Sequence, residues 1–153
     1  MGLDMYLYTS SRAACRDAQS EMDDWNREFY TESGSNVALY WRKANHIHKW
    51  FVENVQNDED DCGFYWVDAE QLEKLLSICE EVLADHSKAP KLLPTTEGFF
   101  FGGQDYGDWY FEDVEYTERA LSALLANLIR NGWTVKHKSE PDWRCHFYYH
   151  SSW

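Results

Sequence analysis

The chain is poor in base and in proline, and it has no long apolar run. Lysine and arginine number 14 against 27 aspartates and glutamates, leaving a formal net charge of -13. That excess of acid excludes a broad basic surface able to neutralise a phosphate backbone, so direct nucleic-acid binding is not expected. No stretch approaches the ~20 consecutive apolar residues of a membrane span. The N-terminus carries no basic segment followed by an apolar run, which predicts a soluble, cytoplasmic protein with no membrane partner.

Four cysteines, Cys15, Cys62, Cys79 and Cys145, show no CxxC spacing, which argues against a zinc ribbon or a redox pair and predicts reduced thiols. GFFFGGQDYG (Gly98 to Gly107) contains several glycines but neither GxGxxG nor a Walker lysine, so it is no cradle for a dinucleotide or triphosphate. HExxH is also missing. The three prolines, Pro90, Pro94 and Pro141, are expected in connectors.

Aromatic residues are plentiful, with 8 Trp and 10 Tyr in 153 residues. They exceed what a minimal core requires, and some are expected to line a groove or an interface. Charge is unevenly spread: residues 58–85 carry ten acids and one base, whereas 37–57 carry one acid and three bases.

Periodicity outlines an α+β domain, a small, mainly antiparallel sheet packed against three to four helices. Gly2 to Thr9 alternates as a strand with one buried face. Ala14, Ala18, Met22, Trp25 and Phe29 predict one amphipathic helix from Ser11 to about Tyr30, followed by a loop over Thr31 to Asn36. A further helix is expected from the Tyr40 region to about Gln56. Next come an acidic turn at Asn57 to Gly63 and a short strand at Phe64 to Val67. Asp68 is placed to cap another helix, with Gln71 completing a capping box. Strands are expected at Gly98 to Gly103, Trp133 to Lys138 and Trp143 to Tyr149, with a long helix from Trp109 to Arg130 ended by Gly132. The length fits a single domain over 1–153.

The stretch YWRKANHIHKWF, Tyr40 to Phe51, draws most attention. Trp41, Ala44, His48, Phe51 and Val55 keep helical spacing, which predicts that they are buried. Arg42, Asn45, His46 and Lys49 are then expected together on the opposite face, as a cationic and amide patch. His48, on the apolar stripe, is expected to be a hydrogen-bonded core histidine rather than a ligand.

This stretch, MGLDMYLY (Met1 to Tyr8), DDCGFY (Asp60 to Tyr65), LLPTTEGFFFGG (Leu92 to Gly103) and YHSSW (Tyr149 to Trp153) occur in an order that resembles a family of small, functionally uncharacterised proteins encoded by bacteriophages, prophages and some bacterial genomes. Residues 10–36 have no counterpart in that pattern and read as a helical insertion. The resemblance implies a phage context and action inside the host bacterial cell, and it carries over no catalytic residue.

Neither His46 with His48, two apart on one helix, nor the trio His137, His146 and His150 makes a convincing metal set. The acidic turn lacks calcium-loop spacing. No metal and no cofactor is expected. The leading functional expectation is a non-enzymatic acidic interaction protein that binds a host factor. Its charge suits a basic, nucleic-acid-binding partner in antiviral defence, such as a CRISPR effector. The alternative is a sensor or sponge for a small nucleotide, in which Arg42, Asn45, His46 and Lys49 face the rings of Tyr106 and Trp109 and hold a flat anionic ligand. An enzyme is the third reading, and it would need an acid–base set that no motif displays.

Overall fold

A computed structural model describes residues 2–98, 101–131 and 146–153. In chain order its elements are β1 (Asp4–Thr9), α1 (Arg12–Gln19), α2 (Asp24–Glu32), β2 (Val37–Arg42), α3 (Asn45–Asn54), β3 (Phe64–Val67), α4 (Ala69–Ala84), α5 (Ala89–Leu92), α6 (Asp108–Arg130) and β4 (Phe147–Ser152). The described strands form one sheet of order β2-β1-β4-β3 with every pairing antiparallel. The α+β expectation holds. The first and last strands lie side by side at the centre, so closing the sheet brings the two ends of the sequence together.

Alternation sets the two faces of the sheet. Met5 and Leu7 of β1 are buried on one face, opposite Trp41 and Leu39 of β2 and Ser151 and Tyr149 of β4. This face meets the helices. α6 crosses it with Val114, Thr117, Leu121, Leu124 and Leu128 buried at three- and four-residue spacing, and α1 and α4 pack against α6. The other face carries an aromatic ladder: Phe64 stacks on His150 at 4.1 Å, and Tyr6 lies 5.9 Å from His150 and 5.5 Å from Tyr40.

Asp68 caps α4 as expected, its side chain accepting from the Gln71 amide while Gln71 returns a bond to the Asp68 amide. Elsewhere the chain departs from its periodicity. The helix expected over Ser11 to Tyr30 is two helices, broken where Asp23 turns its side chain back to accept from the Asn26 amide at 2.9 Å. An N-cap satisfies donors that a continuous helix would satisfy through its own carbonyls, so two acids in a row at 23 and 24 favour a restart.

The larger correction concerns Tyr40 to Arg42, which is strand rather than helix. Trp41 is buried in either geometry, so its distance from Ala44 and His48 imitates a helical stripe. The turn falls at Lys43, whose φ is +57° and whose amide donates to the Leu3 carbonyl at 2.7 Å. In the 98–103 segment, Phe101 to Gly103 is loop rather than strand. The strand expected over 133–138, the residues Trp143 to Cys145 and His137 lie outside the described residues.

Candidate functional site

Between β2 and the first half of α6 lies a cavity of about 720 Å³. Its floor is Tyr40 and Trp41 on β2 with His46 on α3. One wall is the α6 face bearing Trp109, Tyr110, Asp113 and Tyr116, and the opposite rim is the 21–26 link into α2 with Gly102 and Gly103. Two neighbouring residues of β2 fix this arrangement. The Trp41 indole donates to the Thr117 hydroxyl at 2.8 Å, and the Tyr40 amide donates to the Tyr116 hydroxyl at 3.2 Å. α6 is thereby held at a set distance from the strand.

Of the residues expected to share one polar face, the structure gathers some and scatters others. Arg42, Asn45, His46 and Trp109 all border the cavity, whereas Lys49 and Tyr106 do not. Arg42 stands half-exposed at the rim and donates to Asp4 at 3.1 Å. Lys49 points along α3 to Glu53, one turn on. Tyr106 accepts from the Thr95 amide through its hydroxyl at 3.2 Å and sets its ring edge against Tyr110.

Asn45 is a scaffold residue rather than a ligand contact. It is buried, its amide nitrogen donates to the carbonyls of Phe101 (3.1 Å) and Gly103 (2.8 Å), and its amide oxygen accepts from the Thr96 amide (3.0 Å). One side chain thus ties Thr96, Phe101 and Gly103 to the start of α3. Gly102 makes the fit possible. Its φ is +90°, and a Cβ there would stand 3.1 Å from Lys43 Cβ and 3.3 Å from the Lys43 carbonyl, a place for glycine alone.

His46 is also buried, contrary to its expected place on a polar face. With the strand ending at Arg42 and the helix beginning at Asn45, the first turn of α3 points its side chains into the domain. The His46 ring lies 4.1 Å from that of Tyr110. Burial pushes the imidazole down to about 3, opposed by a backbone hydrogen bond at Tyr110, so it is neutral at physiological pH. Its Nε2 is fully enclosed and has no hydrogen-bond partner. His48 takes the role read from the sequence: it is buried, its Nδ1 lies 2.6 Å from the Tyr149 hydroxyl, and its Nε2 lies 3.0 Å from both Asp60 oxygens.

Sequence reasoning missed Asp113. Burial, and secondarily Glu112, push its carboxyl up to about 7. The signal was present, because Asp113 lies three residues after Tyr110 and four before Thr117, inside the inward stripe of α6. An acid on an apolar stripe marks either a buried pair or a site.

Other chemistry is weaker. Burial raises the thiols of Cys15, to about 11, and Cys79, which leaves them poor nucleophiles. His150 is stacked on Phe64, with its Nδ1 3.3 Å from the Gly63 carbonyl. Among the described residues no group of three or more His, Cys, Asp or Glu is arranged to hold a metal ion, and no helix is long and apolar enough to cross a membrane. Searches of protein-family models, curated proteins and solved structures find no match to this chain, so its function has to be argued from these residues alone.

Proposed function

We propose that this chain is a non-enzymatic, acidic interaction protein that docks through α2 onto an apolar groove edged with Lys and Arg on another protein. The observation that carries the reading is that α2 buries none of its own residues. Helices in folded domains ordinarily hide an apolar stripe, since packing rather than propensity stabilises them. Here Trp25 and Phe29, one turn apart and so on one face, are 78% and 60% exposed. Two large rings at i and i+4 are the anchors by which an amphipathic helix fills a groove.

Charge selects the partner. Asp23, Asp24, Glu28 and Glu32 surround the two rings, and the nearby base, Arg27, is engaged by Asp24. The chain as a whole carries -13. Such a surface is attracted to a cationic groove and repelled by acidic ones. A second copy of the chain would bring the same acids into opposition. The phage-family resemblance supports a host protein met in the cytoplasm, of the class whose basic groove ordinarily holds nucleic acid, a CRISPR effector being one such.

The test compares the wild type with the Trp25→Ala/Phe29→Ala double variant, both of which should fold because the rings are exposed. A basic host protein captured by the wild type should, once purified, bind the double variant at least about tenfold more weakly, as loss of anchor residues predicts. Its association with the wild type should weaken as ionic strength rises. Equal binding of both proteins overturns the reading. So does a wild-type dimer in sedimentation that the double variant abolishes, because α2 would then be a self-contact.

A further inference from the structure

The cavity between β2 and α6 presents more acid than base, which reverses the sequence expectation of an anionic ligand. Of its three cations, Arg42 is matched by Asp4 at 3.1 Å and Arg119 by Glu21 at 3.3 Å, and Lys43 is the third, against five lining carboxylates. Asp105, Glu112 and Asp113 face the same space. A phosphate would meet an excess of carboxylate, with Asp105 and Glu112 exposed and Asp113 more enclosed, and like charges repel.

Asp113 is the polar group in the wall that calls for a partner. The Nε2 of His46 is unpartnered but fully enclosed, so it is not open to a ligand in the cavity. Among the described residues no hydrogen bond or ion pair reaches the Asp113 carboxyl. Burial holds that carboxyl near half-protonation at neutral pH, a state that an approaching ammonium would convert to carboxylate. Around these groups stand the rings of Trp109, Tyr110 and Tyr116, whose faces attract cations. The volume, about 720 Å³, lies within the range of small-molecule sites.

We propose that this cavity binds a small organic cation, a protonated amine carried on a flat or aromatic framework, with its ammonium against Asp113. The cavity borders the start of α2 at Asp23 and Asn26 but not at Trp25 or Phe29, so different variants test the two readings and either stands without the other.

Three compounds of one shape and different charge make the test: tyramine, the neutral alcohol tyrosol, and the anion 4-hydroxyphenylacetate, with adenosine monophosphate as the nucleotide control. Tyramine should raise the melting temperature in a saturable way. Tyrosol should bind at least about tenfold more weakly, since it lacks a charge-assisted bond to Asp113. The two anions should give no shift. Asp113→Asn, close in shape, should weaken tyramine binding by about tenfold. Trp109→Ala, whose ring is exposed and dispensable for folding, should weaken it about two- to fivefold. No shift with tyramine, a larger shift with either anion, or an unchanged tyramine affinity in both variants overturns the proposal, the last by showing that the cation only screens surface acid.

Discussion

The hydroxyl of Tyr149 lies 2.6 Å from Nδ1 of His48, across 101 residues of sequence. Asp60 meets the other ring nitrogen at 3.0 Å, and the Trp153 indole donates to the same carboxylate at 3.0 Å. A carboxylate can only accept, so Nε2 of His48 carries the proton, and because burial lowers the imidazole's pKa, Nδ1 stays unprotonated and accepts from Tyr149. The last strand, α3 and the acidic turn are thereby joined through one neutral imidazole. Tyr149→Phe should cost about 1–3 kcal/mol by leaving Nδ1 buried and unpaired, read as a lower urea midpoint with an unchanged slope.

Asn45→Ala should release Thr96, Phe101 and Gly103 from α3. Three hydrogen bonds converge on that side chain, and losing them should cost on the order of 2–4 kcal/mol locally. Hydrogen exchange at the Thr96 amide should speed up far more than exchange in α6. Equal acceleration in both would mean that Asn45 supports the whole core instead of one loop.

Replacing Arg42 and Lys49 together by Ala should leave the fold intact. Both engage acids at the surface, and exposed pairs contribute about 0–1 kcal/mol each. Trp41→Ala should cost about 3–5 kcal/mol, because a buried ring and its bond to Thr117 are lost together. Thermal denaturation of the two variants separates surface from core.

Asp113→Asn should stabilise the protein at alkaline pH. Burial raises the folded carboxyl from 3.8 to about 7, so the native state keeps its proton longer than the unfolded chain, and ionising it in place is unfavourable. The gap between variant and wild type should open above about pH 4 and level off above about pH 7, reaching on the order of 2–4 kcal/mol. His46 runs the other way: its folded value is below 6.5, so its contribution to stability is lost as pH falls below about 6.5. Chemical denaturation of both proteins at pH 5 and pH 8 checks the sign. A gap that is the same at pH 5 and pH 8 would place Asp113 in water.

The α+β class, the alternation of β1, the α4 capping box and the core role of His48 were legible in the sequence, because each depends on residues near one another in the chain or on a simple period. Local hydrogen bonds and binary pattern determine such features wherever the segment lies. The path of YWRKANHIHKWF was not legible. Trp41 is buried whether it stands on a strand or a helix, and only pairing with β1, which carries the Lys43 amide to Leu3, decides for the strand. That choice rotates Asn45 and His46 inward and turns an expected surface patch into loop anchor and cavity wall. The character of the cavity was likewise fixed by contact between distant segments: its acid excess comes from residues 21–26, 105 and 112–113, which share no period. Only packing, with the desolvation that accompanies it, places them in one space and shifts Asp113 toward neutrality.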